Sequence, residues 1–75
     1  MEYQREMYLK GLRFEFINFR KSLLSNHLND VECLHEQLKG YIAGGMWAEI
    51  ISITEYHGIY ETACKLYDSY FFIKL

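Results

Sequence analysis

The first third of the chain carries two apolar rows at helical spacing. Tyr8, Leu12, Phe16, Phe19 and Leu23 recur at steps of three and four residues. Phe14, Ile17 and Leu24 form a second row displaced around the axis. Such spacing gathers each row on one side of a helix, so residues 2–25 are predicted to form the first and longest helix. Two rows mean two sides that need cover, as in a central bundle helix or a helix at a dimer seam. Arg13 and Arg20 fall between the rows and are expected to face solvent, their alkyl stems lying over apolar neighbours. A competing pattern runs from Leu12 to Phe16, which alternates apolar and polar as a strand would. Ile17 breaks the alternation, the flanks carry helix formers, and no second segment offers a pairing strand.

Ser25-Asn26-His27 marks a break. Asn29 is placed to cap a second helix, with Glu32 three residues on as the returning carboxylate of a capping box. Val31, Leu34 and Leu38 give that helix its buried side, and Lys39-Gly40 gives it a stop. From Gly40 to Met46 two readings stay open: a loop, or a continuous helix whose small residues Gly40, Gly44 and Ala48 admit a close neighbour. The adjacent pair Gly44-Gly45 costs roughly 2 kcal/mol of helix propensity relative to alanine, which favours a break. Beyond it, Trp47, Ile50, Ile51 and Thr54 recur at helical steps. After His57-Gly58 so do Ile59, Ala63, Leu66, Tyr70 and Ile73, with Tyr60, Cys64, Tyr67 and Phe71 alongside. Glycine just past a helix takes a left-handed conformation at no steric cost, so Gly58 is read as the reversal between two short helices. The predicted architecture is a single all-α domain over residues 1–75. It is a compact bundle of four short-to-medium helices, near 2–25, 29–39, 45–57 and 59–73, with successive helices antiparallel.

Trp47, Ile50, Gly58, Tyr60, Ala63 and Tyr67 stand at spacings that resemble one tetratricopeptide repeat, covering residues 44–73. Ile51 and Tyr70 depart from the small residues of that pattern, and the chain has no closing proline. The resemblance implies a C-terminal helical hairpin whose small Ala63 lets the two helices approach. It also implies a protein-interaction scaffold rather than an enzyme, with Gly45, Ala48, Ser52 and Glu55 on the concave side. Those residues would form a trough, most simply for the protein's own first helix.

Composition sharpens this picture. Hydrophobic residues make up 51% of the 75 and aromatic residues 17%, more than so small a chain can bury. The surplus points to a homodimer or a partner surface, with aromatic side chains as anchors. The formal net charge is -2, which gives no strong steering field. Yet residues 1–21 hold five of the eight basic side chains, Arg5, Lys10, Arg13, Arg20 and Lys21, and the remainder is net acidic. The longest apolar-rich stretch, Tyr41–Ile53, is too short to span a bilayer. Two distant cysteines and an N-terminus without a hydrophobic targeting run lead to the expectation of a reduced, cytoplasmic protein.

Candidate chemistry is sparse. Cys33-Leu34-His35 is the one close Cys/His pair, and His27, His57 and Cys64 are scattered, so no zinc site is expected. Gly44-Gly45 lacks the lysine and hydroxyl residue of a phosphate loop. No enzyme activity and no cofactor are expected. The function expected is that of a small interaction module, a regulator, inhibitor or adaptor that binds a partner protein and self-associates. Its candidate partner-binding residues are Tyr3, Arg13, Arg20, Tyr56 and Phe72. The alternative is a DNA-associated regulator that uses a basic first helix in a dimer. Against that, Glu2, Glu6 and Glu15 dilute the basic first helix, and a helix-turn-helix unit is not expected because the segment after Gly58 opens Ile59-Tyr60-Glu61-Thr62, which lacks the cations of a recognition helix.

Overall fold

The computed structural model describes residues 2–25 and 27–74, and side chains as far as residue 70. Among these residues there are three helices, not four: α1 (Glu2–Ser25), α2 (Leu28–Trp47) and α3 (Ile53–Lys74). They form an up-down-up bundle 43 Å long, 19 Å wide and 13 Å deep. The long dimension is set by α1, whose 24 residues span about 36 Å at 1.5 Å per residue. The strand-like alternation at residues 12–16 lies inside α1.

The four-helix expectation fails at two places, both involving glycine. The helices expected at 29–39 and from residue 45 are one helix, α2, which passes through Gly40, Gly44 and Gly45 without a break. The expected reversal at Gly58 is absent, because Gly58 lies inside α3 with an ordinary negative φ. The real reversal lies between Trp47 and Ile53. There Glu49 takes φ 60°, the Glu49 N–H donates to Met46 O at 3.0 Å, and the Ile50 N–H donates to Gly45 O at 2.9 Å. This is the paired bonding of a Schellman ending, with a glutamate in the left-handed position that glycine usually fills. The start of α2 also differs from expectation. His27 is its N-cap and makes no side-chain capping bond, while Asn29 lies within the helix.

Two glycines have a packing role. A Cβ on Gly45 would lie 2.2 Å from Cζ of Tyr8, and one on Gly11 would lie 2.0 Å from the hydroxyl of Tyr41. The two tyrosines stack with centroids 4.9 Å apart and planes 14° from parallel. Each hydroxyl donates to the other residue's carbonyl, Tyr8 to Tyr41 O at 3.0 Å and Tyr41 to Tyr8 O at 3.1 Å. The arrangement is reciprocal: each helix sends one ring against a glycine of the other. Burial raises the Tyr8 phenol to about 12, so it remains a donor across the physiological range.

The core below this lock is formed by Leu12, Phe19, Val31, Leu38, Ile42, Ile51 and Ala63. His35 of α2 sits among them, 7% exposed. Its ring is sandwiched between Phe19 of α1 at 5.4 Å and Tyr67 of α3 at 4.1 Å, so one imidazole joins all three helices. Its Nε2 is buried without a hydrogen-bond partner. Burial, aided by Lys39 and opposed by Glu36 and Asp68, holds its pKa below the ordinary 6.5. Helix α3 is the least deeply set. Ala63 is fully buried, while Ile59, Tyr60, Leu66, Tyr67 and Tyr70 are half-buried around it.

The glycines therefore divide by what surrounds them. Nothing lies within 4 Å of a Cβ at Gly44 or Gly58, so Gly44→Ala and Gly58→Ala are expected to raise stability by about 1 kcal/mol each. Gly45→Ala and Gly11→Ala are expected to lower it by about 1–3 kcal/mol, because a rigid, hydrogen-bonded ring must move. Urea or thermal melts of the four variants check this ordering. A stable turn at Gly58 would reverse the sign for Gly58→Ala.

His35 generates a second expectation. With its folded-state pKa held below 6.5, the unfolded chain takes up the proton first as pH falls. The stability that neutral His35 supports is thus present above about pH 6.5 and lost below it. His35→Phe keeps a ring between Phe19 and Tyr67 and removes the unpartnered nitrogen. Melts should show a gain of about 1 kcal/mol near neutral pH, with a larger advantage near pH 5.

Candidate interaction surface

Helix α1 is apolar on opposite sides. At about 100° per residue, its buried residues Tyr8, Leu12 and Phe19 share one face. Tyr3, Met7, Phe14, Ile17 and Leu24 share the face diametrically across the axis, and all five are exposed. Phe14 is 62% exposed and Leu24 86%. Their spacing is that of alternating a and d positions of a heptad, with Lys10 and Lys21 filling the two remaining places. Arg13, Arg20 and Glu6 border the row, and all three are exposed. The core closes without any residue of this row.

A second apolar area lies at the α2–α3 corner. The Schellman ending turns the chain so sharply that Trp47 is left 80% exposed and Ile53 65%. Between them opens a shallow depression of ≈ 490 Å3, bordered also by Arg5, Glu49, Ile50 and Glu55. Its floor is held by polar contacts. Arg5 forms a two-pronged ion pair with Glu55 and donates to Ile50 O at 3.2 Å. Ser52 and Glu55 make a reciprocal cap on α3: the Ser52 N–H donates to Glu55 Oε1 at 2.9 Å, and the Glu55 N–H donates to Ser52 Oγ at 3.0 Å. This is the Ser-x-x-Glu capping box. Glu55 thus fixes both the start of α3 and the docking of α1 against it. The Arg5 guanidinium, helped by the Ser52 N–H, pulls its carboxyl down to about 2.

The expected partner-binding residues separate in this frame. Tyr3 lies in the exposed row, and Arg13 and Arg20 lie along its edge. Tyr56 is apart from them on α3, half-buried against the core and packed on His57 and Tyr60 at centroid distances of 5.2 and 5.4 Å. Phe72 lies outside the described side chains. The residues of the expected trough do not share one helix: Gly45 lies in α2, Ala48 and Ser52 in the turn, and Glu55 in α3, with Gly45 beside the Tyr8 ring and Glu55 paired to Arg5. Missed by the sequence reading were Met7, which completes the row, and Ser52, whose spacing to Glu55 is a legible helix-start signal. Trp47, which shares its helical spacing with Ile50 and Ile51, is the last residue of α2 and stands outside the core.

Cys33 is exposed, Cys64 is half-buried, and both are free thiols. Among the described residues no cluster of three or more His, Cys, Asp or Glu is placed to hold a metal ion. No helix among them is long and apolar enough to cross a membrane. No known protein family, curated protein or solved structure matches this chain.

The Glu55 clasp predicts an acid limb in the stability profile. Because the folded-state pKa lies near 2 and the ordinary value is 4.5, the stabilisation is complete above about pH 4.5 and is lost as pH falls towards 2. Glu55→Gln should melt lower than the parent at pH 7. Its melting temperature should also fall less between pH 4.5 and 2. An unchanged acid limb in this variant would contradict the pairing.

Proposed function

We propose that this chain is a small protein-interaction module, one that acts by binding a partner rather than by transforming a substrate. The observation that carries the reading is the set of large apolar side chains left outside a core that closes without them. Phe14, Leu24, Trp47 and Ile53 are all more than 60% exposed. Contiguous apolar surface of this kind on a small domain marks a binding surface, and Trp is the residue most enriched where binding energy concentrates. The corner around Trp47 and Ile53 is the area proposed for a foreign protein. It offers an aromatic anchor beside a depression, bordered by the charged groups Arg5, Glu49 and Glu55 that give orientation.

A second reading, a DNA-associated regulator, draws on the exposed cations Lys10, Arg13, Arg20 and Lys21, which lie on one broad side of α1. They are interleaved with Phe14 and Ile17, however, and their charge is diluted by Glu6. A phosphate-contacting face is a basic patch or stripe, and on this side of α1 the net positive charge is small.

Affinity capture from the native host separates the two readings. The parent is expected to retain one or more host proteins in a nuclease-treated extract, and Trp47→Ser/Ile53→Ser is expected to lose them while keeping its helical circular dichroism. Equal recovery by both forms would overturn the assignment of this corner. Retention of duplex DNA that falls steeply between roughly 50 and 200 mM salt would favour the second reading.

A further inference from the structure

We propose that the outer face of α1 is the seat of a second copy of this chain, with the two α1 helices packed antiparallel. This rests on the interaction-module reading and assigns the α1 row to self-association, leaving the Trp47 corner to a foreign partner.

The row Tyr3, Met7, Lys10, Phe14, Ile17, Lys21, Leu24 has the spacing of the seam of a two-stranded coil. Its charges select among the ways two copies can meet. Packed parallel and in register, Lys10 faces Lys10 and Lys21 faces Lys21 of the partner, two like-charge contacts in the seam. Packed antiparallel with Ile17 opposite Met7 of the second copy, all six facing layers from Tyr3 to Lys21 become compatible, and Leu24 lies outside them. Phe14 then lies across from Lys10 and Tyr3 across from Lys21, so each seam ammonium meets an aromatic ring, and Met7 and Ile17 make the apolar layers. At the edge, Glu6 of each copy lies across from Arg20 of the other, giving two opposite-charge pairs by symmetry. Shifting the antiparallel register by one heptad one way sets Lys10 against Lys21 and Arg13 against Arg20; shifting it the other way leaves four facing layers instead of six. One like-charge contact remains in the favoured register, where Arg13 meets its own copy near the two-fold axis.

Nothing among the described residues obstructs this seat, because the Tyr8–Tyr41 lock and the core lie on the opposite side of α1. The seam residues are exposed, so altering them leaves the fold intact. A dimer closed by a two-fold axis covers the row from Tyr3 to Lys21 on both copies at once, as expected of an isologous interface.

Light scattering across a dilution series of the full chain, with circular dichroism as the folding control, tests this. The parent is expected to be dimeric at the concentrated end. Phe14→Lys, which sets a lysine against Lys10 of the other copy, is expected to be monomeric with unchanged helix content. Glu6→Arg and Arg20→Glu, which each turn both edge pairs into like-charge contacts, are expected to weaken the dimer about tenfold. Together in one chain they should restore it. Arg13→Gln, by removing the repulsion at the axis, is expected to tighten it. A parent that stays monomeric to roughly 100 μM would overturn the proposal without touching the Trp47 corner. So would a dimer that survives Phe14→Lys, or one that the Glu6→Arg/Arg20→Glu pair fails to restore.

Discussion

The distance between α1 and α2 is set by two rings and two glycines, and the rest of the bundle depends on that distance. Tyr8 and Tyr41 stack on each other while each hydroxyl reaches the other helix's backbone. Rings this close to a neighbouring backbone need positions without a Cβ, which Gly11 and Gly45 supply. The lock also fixes rotation. With the Tyr8 ring on Gly45, Leu12 and Phe19 must point at Leu38, Ile42 and His35, and the other apolar side of α1 must point away. The exposed row is therefore a consequence of the same contact that builds the core.

Helix α3 is attached differently. Little of it is deeply buried, and it is held near its two ends. At its start Glu55 joins the capping box to the Arg5 clasp. Further along, Tyr67 closes the stack through His35 to Phe19. Between these, Ala63 lets α3 approach α2 closely. Such a helix tolerates Gly58 in its interior because the cost of about 1 kcal/mol is spread against anchors on both sides. Thr62 further occupies the Gly58 carbonyl at 2.9 Å.

The first helix was legible because its apolar period is long and its one glycine is isolated. The boundary between α2 and α3 was not, and the reason is physical. Glycine is a signal for reversal only where the backbone needs a left-handed residue, and here none of the five glycines takes a positive φ. Gly11 and Gly45 are small to admit rings, Gly44 and Gly58 stand in open space, and the left-handed residue is Glu49. No propensity scale places a reversal at a glutamate. The position of α3 was written in Ser52-x-x-Glu55, but a helix assigned straight through that segment hid it. At the candidate surface the second row of α1 was visible from spacing alone, and so was the exposure of Arg13 and Arg20. Which row would be buried was not visible, because both have helical period. The choice falls to whichever can present a tyrosine hydroxyl to a carbonyl beside a glycine, a pairing between residues 33 positions apart.

A helix with apolar residues on opposite faces is costly in isolation, since one face stays wet whichever way it docks. A chain of 75 residues buries only about 60% of the surface it exposes when unfolded, so it has little stability to spend on an exposed aromatic row without a use. The inner face of α1 is committed by hydrogen bonds that cannot be exchanged for others on the outer face, because Phe14, Ile17 and Leu24 carry no polar tip. The two faces are thus not alternatives for one core. One closes the subunit through directional bonds, and the other offers non-directional apolar area whose orientation must come from charges. Glu6, Lys10, Arg20 and Lys21 are in or beside the outer row, where the proposed pairing would draw its direction from them. Arg5, turned towards the bundle, is instead paired within the chain, to Glu55 and the Ile50 carbonyl.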